Sequence, residues 1–293
     1  MKFGIAFANA GPAARHAHAA EFARLAEESG FESLWTVEHV VVPRDYASAY
    51  PYAKDGRMPG GEDTDIPDPL IWLAHVAAVT ERIRLATGIL ILPQRNPVIL
   101  AKEVATLDLL SGGRVLLGVG VGWLAEEFAV LGVPFEERGA RADEYVAALR
   151  ALWSGGDATF DGKFTAFERA VSRPQPEQKG GPPIIVGGHS DAAARRAGRL
   201  GDGFFPGARG REELARLIAV MRESAEKADR DPDAIEITAG GRPDLETVEA
   251  WAAMGVSRFL IPPLGFDVDT LRNQLPKFAE NVIAKASELL PVR

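Results

Sequence analysis

Hydrophobic positions along the chain switch repeatedly between two periods. Residues 2–8 set Phe3, Ile5 and Phe7 on one side of an extended run. After a polar, glycine-containing loop, Phe22, Leu25, Ala26 and Ser29 recur at helical spacing and stop at Gly30. The unit then repeats without detectable sequence identity. Further strands are predicted over 33–37, 83–89, 114–119, 183–186, 202–205, 235–239 and 257–261, and helices over 69–80, 98–110, 140–153, 192–200, 212–228, 245–254 and 268–290. Strands alternating with helices imply a parallel sheet, and eight such units in 293 residues match an α/β (β/α)8 TIM barrel in a single domain spanning 1–293. An open, doubly wound sheet is the competing arrangement.

Two stretches break the rhythm. Residues 43–67 are rich in Pro, Gly, Tyr and Asp and lack periodicity, which reads as a lid over the barrel mouth or as a surface excursion. Residues 154–182 carry short aromatic runs around Phe160 and Phe164 and a Pro-rich tail, which reads as an insertion with a small hairpin.

Composition narrows the chemistry. With 33 Lys and Arg against 41 Asp and Glu, the net charge of −8 argues against a nucleic-acid binder, which needs a basic face. The chain has no cysteine, so thiolate nucleophiles, disulfides, iron–sulfur clusters and Cys-ligated zinc are excluded. The longest apolar stretches, such as 115–125, contain several glycines and fall short of the roughly 18 residues of a membrane span. The apolar run after Lys2 is too short for a signal peptide, so a cytoplasmic protein without membrane partners is expected.

In a barrel, function sits at the carboxyl ends of the strands. Here these are 7–9, Glu38 and His39, Thr87 to Ile89 through Gly88, 120–123, 187–190, 206–209, 239–241 and 261–263. His39, just before the long loop, is the candidate for proton transfer near neutral pH. The run from Gly118 through Gly120, Val121 and Gly122 fails the dinucleotide fingerprint, because Trp123 stands where its third glycine belongs. It serves either close packing of neighbouring backbones or the approach of a cofactor. Gly188, His189 and Ser190 resemble a nucleophile elbow, which would make the protein a serine hydrolase using Ser190. No histidine follows Ser190 in the chain, however, as that fold's triad order requires. The same residues suit an anion at a helix start, or Ser190 and Asp191 simply cap that helix. His16 and His18 are two apart and cannot form an i, i+4 metal pair, and His75 reads as a packing residue, so no metal site is expected.

Together, several blocks resemble the bacterial luciferase-like flavin and deazaflavin oxidoreductases. They are residues 33–39 (SLWTVEH), 84–89 (RLATGI), 93–97 (PQRNP), 107–114 (LDLLSGGR), 118–128 (GVGVGWLAEEF), 132–141 (GVPFEERGAR), 184–190 and 230–232. The blocks at 107–114 and 118–128 are similar especially to the deazaflavin-dependent branch. The resemblance implies a luciferase-like (β/α)8 barrel, often a homodimer, that binds coenzyme F420 or, in the rival branch of monooxygenases, flavin mononucleotide (FMN). It implies a non-proline cis peptide at Gly88–Ile89 behind the cofactor ring, with Glu38 and Thr87 beside it and His39 as proton donor or acceptor. By the same resemblance Gly120, Val121 and Gly122 approach the ring or its side chain. Gly187, Gly188, His189 and Ser190, with Gly207 and Arg209, take the phosphate. The reaction implied is hydride transfer between the deazaflavin and a small organic substrate. A barrel that binds such a ligand without turnover is a further reading. At one point the chain departs from the branch. Several deazaflavin dehydrogenases carry a glutamate where Trp123 stands, and an indole there fits a wall for an apolar substrate.

Overall fold

The computed structural model describes residues 1–289 apart from Arg209 and Phe266. Strands β1 (Lys2–Ile5), β2 (Ser33–Thr36) and β3 (Arg84–Thr87) lie side by side, with Ile5 against Leu34 and Leu34 against Leu85. A two-residue strand, β4 (Leu90–Ile91), follows, and both β3 and β4 pair with β5 (Val115–Gly120). Strands β6 (Ala158–Asp161) and β7 (Ala166–Ala170) form a separate antiparallel hairpin, the one expected in the 154–182 insertion. Strands β8 (Ile184–Gly188), β9 (Gly203–Pro206), β10 (Glu236–Gly240) and β11 (Val256–Ile261) continue the parallel sheet, and β11 returns to β1 with Ile5 against Ile261. The eight long-range strands therefore close into a parallel barrel, and the open sheet is ruled out.

The strands are apolar on both faces because both are covered. Along β2, Leu34 packs outward into the helix layer, whereas Trp35 packs inward with Ala86, Leu116, Ile185 and Leu260. Trp35 fills the barrel at the level of Gly4, where a Cβ would meet Trp35, Leu260 and Ser33.

The outer layer is α1 (His16–Glu28), α2 (Pro69–Ala77), α3 (Pro97–Ser111), α4 (Ala125–Val130), α5 (Arg138–Trp153), α6 (Asp191–Leu200), α7 (Arg211–Glu226), α8 (Leu245–Ala253), α9 (Val268–Phe278) and α10 (Ala284–Leu289). Asp68 and Asn96 accept the first free amides of α2 and α3, and each precedes a proline whose fixed φ suits the first helical position. The single helix predicted over 268–290 is instead interrupted. Pro276 lacks the N–H of a helix interior, and a π turn over Ala279–Ile283 separates α9 from α10, while Leu290 lies outside the described residues. Among the described residues no helix is long and apolar enough to cross a membrane.

Candidate active site

The carboxyl ends of β2, β3, β5, β8 and β9 bring most of the predicted site residues to one face. At β3 the chain leaves its pairing with β2 after Thr87, passes a cis Gly88–Ile89 peptide where the resemblance implies one, and resumes against β5 as β4. The glycines opposite make room for this bulge. A Cβ on Gly118 would collide with the Thr87 carbonyl, one on Gly120 would lie 2.6 Å from Ile89 Cδ1, and one on Gly122 would lie 2.8 Å from Ile91 Cγ2. One on Gly187 would strike Ile89 Cγ2. Of the two readings left open for the glycine run, close packing accounts for Gly118 and Gly120. Ile89, half-buried, sits between Gly120 and Gly187, and Val121 packs on the core.

Two residues expected at the cofactor have their side-chain polar atoms engaged inside the protein. Thr87 Oγ1 donates to the Gly118 carbonyl at 2.6 Å. The Glu38 carboxylate accepts from the Ile91 amide and from Arg95, whose Nε lies 2.9 Å from Oε1. Arg95 also reaches Asp68 at 2.6 Å. Burial pushes the Glu38 carboxyl up, and Arg95 and the Ile91 amide pull against it. Held by the guanidinium fork and an amide, Glu38 braces the bulge.

His39 is nearly buried, and its Nδ1 lies 3.1 Å from Oε2 of the fully buried Glu127. The other oxygen of Glu127 accepts the Val40 and Val41 amides at 2.6 and 3.2 Å. A carboxylate can only accept, so Nδ1 carries the hydrogen of this bond and Nε2 is the nitrogen left for exchange with a ligand. Glu127 thus fixes both the imidazole and the backbone that follows it.

Residues 43–67 contain no helix or strand and lie against this face. Glu126 Oε1 accepts the Ala47 and Ser48 amides at 2.7 and 3.1 Å, while Ser48 Oγ accepts the Ala125 amide at 3.1 Å. The Ser48 hydroxyl and these amides hold the Glu126 carboxyl down to about 2. Asn9 ties the far end by donating to the Val37 and Pro67 carbonyls, both at 2.9 Å. Between these ties the Trp123 ring meets His39, Tyr46 and Tyr50 edge to face at 5.7, 5.5 and 5.2 Å. The row continues from Tyr50 to Tyr52 and from Tyr52 to His189.

The β8 and β9 ends are joined by a bond from the Gly207 amide to the Gly188 carbonyl at 3.2 Å. Gly188 has φ +138°, a backbone that disfavours a side chain. His189 and Ser190 are exposed at the start of α6, and Ser190 Oγ caps it by accepting the Ala193 amide at 3.2 Å. The Tyr52 ring lies where a Cβ on Gly207 would project. Arg209, expected beside it, lies outside the described residues. Two clefts of about 360 and 310 Å³ open instead at the amino ends of the strands, around Glu32 and Arg84 and around Arg150 and Asp202. Glu32, Arg84, Arg150 and Asp202 there are ion-paired or bonded to backbone, and strand direction rather than cavity size locates the site.

A family model described as luciferase-like monooxygenase matches residues 1–271. The chain belongs to this family. It is 35% identical over 272 residues to an uncharacterized protein of Mycobacterium tuberculosis, covering 90% of this chain and 93% of that one. It is also 35% identical over 247 residues to the F420-dependent glucose-6-phosphate dehydrogenase of Beutenbergia cavernae, covering 80% of this chain and 68% of the relative. Among solved structures, a monooxygenase from Streptomyces bottropensis superposes with a TM-score of 0.75 at 26% identity, covering 98% of this chain and all of that one, 100%. The protein is therefore an enzyme of the luciferase-like oxidoreductase class.

In this luciferase-like enzyme Glu127 and Glu126, a turn past the glycines and outside the predicted site set, join the site. Both lie in the first turn of α4, one turn past the Gly-rich strand end. The available signal was two carboxylates set inside the otherwise apolar stretch 121–131.

Proposed function

We propose that the enzyme transfers a hydride between coenzyme F420 and a small organic substrate, with His39 as the proton donor or acceptor. The observation that carries this is the His39–Glu127 pair, facing the same strand ends as the Ile89 bulge, in a chain 35% identical to an F420-dependent dehydrogenase. The residues present fit such a coenzyme. Half-buried Ile89 between two glycines offers a flat apolar support for a ring system. Gly188, the exposed His189 and Ser190 at the start of α6, and the adjoining Gly207 offer an N-terminal helix cradle for a phosphate. Bound there, the coenzyme supplies two-electron hydride chemistry. The chain's own part is to orient it with Ile89, to hold a proton at His39 Nε2, and to exclude water with residues 43–67 acting as a lid.

A second reading, an FMN-dependent monooxygenase, is favoured by the likeness to the Streptomyces bottropensis enzyme. A deazaflavin does not readily activate oxygen, so oxygen uptake with reduced FMN separates the two. The deciding experiment is a parallel fluorescence titration with coenzyme F420 and FMN. Tighter F420 binding, lost in Gly188→Val, is expected, and a preference for FMN moves the assignment to the monooxygenase branch.

We also infer a homodimer formed over α2, α3 and α4, where Ile71, Ile99, Leu110 and Val130 are exposed. Sedimentation at two mass units of the chain is expected, and a monomer at micromolar concentration refutes it.

A further inference from the structure

We propose that the substrate of this site is an uncharged, flat, conjugated molecule, with aryl enones as the test class, held against the Trp123 indole, and that sugar phosphates are excluded. This rests on the reading above in that it takes His39 as the place of reaction.

His39 has two neighbours that define what can lie beside it. On one side Glu127 spends both carboxylate oxygens on His39, Val40 and Val41. On the other side stands the Trp123 ring, 5.7 Å away and nearly perpendicular to the imidazole, at 85°. Trp123 is in turn set edge to face against Tyr46 and Tyr50. Tyr46 is buried, with its hydroxyl accepting the Met58 amide at 3.0 Å, so it backs the Trp123 ring. From Tyr50 the row runs through Tyr52 to His189, so rings border the face from the end of β2 to the end of β8. Aromatic faces of this kind recognise flat π systems by stacking or edge contact.

Charge points the same way. The ionic groups attached to this wall are Glu126 and Glu127, and each accepts two backbone amides. A phosphate brought beside them would face two carboxylates and would need cations to pair with it. Arg57 is a cation that touches the wall. Its guanidinium lies over the Tyr46 ring at 4.6 Å and donates to the Tyr46 carbonyl at 3.1 Å. It is thereby engaged on the wall itself. A sugar phosphate would also bring several hydroxyls to a surface that offers it rings, each unpaired hydroxyl costing binding.

The test is calorimetric titration of the full chain with benzylideneacetone and, separately, with glucose 6-phosphate. Saturable binding of the enone is expected, with no saturable heat from the sugar phosphate. Trp123→Phe, which keeps a ring, should hold enone affinity within about threefold, and Trp123→Glu should weaken it by about tenfold or more. Tighter binding of glucose 6-phosphate than of the enone, absence of saturable enone binding, or equal enone affinity in Trp123→Glu overturns the proposal. The coenzyme titration reads a separate event. Enone binding without coenzyme binding leaves the substrate class standing and removes the hydride-transfer reading. Coenzyme binding with turnover of the sugar phosphate alone does the reverse.

Discussion

The two ends of the barrel are built from opposite materials. At the amino end Arg258, almost wholly buried, pairs with Glu32 at 2.9 Å and with Glu236, and Lys2 also pairs with Glu236. Its guanidinium lies 5.6 Å from the Trp35 ring, closing the barrel below the apolar layer. Charges there satisfy one another. At the carboxyl end the strands finish in glycines, a bulge and a row of rings, and the charged groups bind loop backbone. Glu38 holds Ile91, Glu126 holds residues 47 and 48, and Glu127 holds residues 40 and 41. At the amino end the carboxylates of Glu32 and Glu236 neutralise a buried cation; at the carboxyl end Glu126 and Glu127 place loop backbone, and Glu38 divides its carboxylate between Arg95 and the Ile91 amide. Stability and function are thereby assigned to different ends of one fold.

Substitutions at the two ends should therefore separate activity from stability. The largest effect on rate is expected for His39→Ala, about a hundredfold to ten-thousandfold in kcat, the usual worth of a positioned proton-transfer group. A modest fall in thermal midpoint should accompany it, because Oε2 of the buried Glu127 loses its partner, and a variant that keeps its kcat removes His39 from the chemistry. Arg258→Met should do the opposite. Removing the buried guanidinium strands Glu32, leaves Glu236 with Lys2 alone, and costs about 3 kcal/mol, the low end for a broken buried pair because both carboxylates reach solvent. Denaturant unfolding should show that loss, while coenzyme affinity of the folded fraction is retained. A stable Arg258→Met protein with weakened coenzyme binding would break the division between the ends.

Much of this division was legible in the sequence because it follows from period and punctuation. The alternation of strands and helices, the hairpin around Phe160, and the position of His39 at a strand end all depend on local pattern. The quoted family blocks turn out to be braces as much as site. In the block at 93–97 Arg95 locks Glu38 and Asp68, while Asn96 caps α3. In the block at 107–114 Asp108 accepts the Gln178 amide at 2.9 Å, and Arg114 donates to the Ala77 carbonyl at 2.9 Å. The pairing of His39 with Glu127 was not legible, since 88 positions separate them and only closure of the barrel brings them together. Nor was the partner of Glu38 legible, since Arg95 stands 57 positions further on. The neighbouring His39 faces the opening, and alternation along an extended chain turns Glu38 the other way, toward Arg95.

Glu127→Gln sharpens the comparison at the carboxyl end alone. An amide keeps the size and can still accept from Val40, but its NH2 group cannot accept the His39 Nδ1 hydrogen. The imidazole loses the partner that fixes its tautomer. A loss of about 1–3 kcal/mol in that bond corresponds to roughly fivefold to 150-fold in kcat, with KM little changed. A change confined to KM would make Glu127 a brace for residues 40 and 41 only.

The smallest expected effect is an acid transition in the loop over the site. The Glu126 carboxyl is held down to about 2, below its ordinary 4.5, so the folded state favours the ionised form. Its contribution is complete above about 4.5 and is lost as pH falls from there toward 2, because the unfolded chain binds the proton first. A proton taken up in the opened loop competes with the Ala47 and Ser48 amides for the carboxylate, and leaves the barrel's own ladders intact. Amide hydrogen exchange should therefore rise at Ala47 and Ser48 between pH 5 and pH 3, after correction for intrinsic rates, without change in the strands. Glu126→Gln keeps a weaker, uncharged acceptor and should show a partial rise in exchange at pH 5 and lose most of the pH response. Uniform acceleration across the barrel would mean that the loop and the strands open as one unit, and the two ends would no longer be separable in stability.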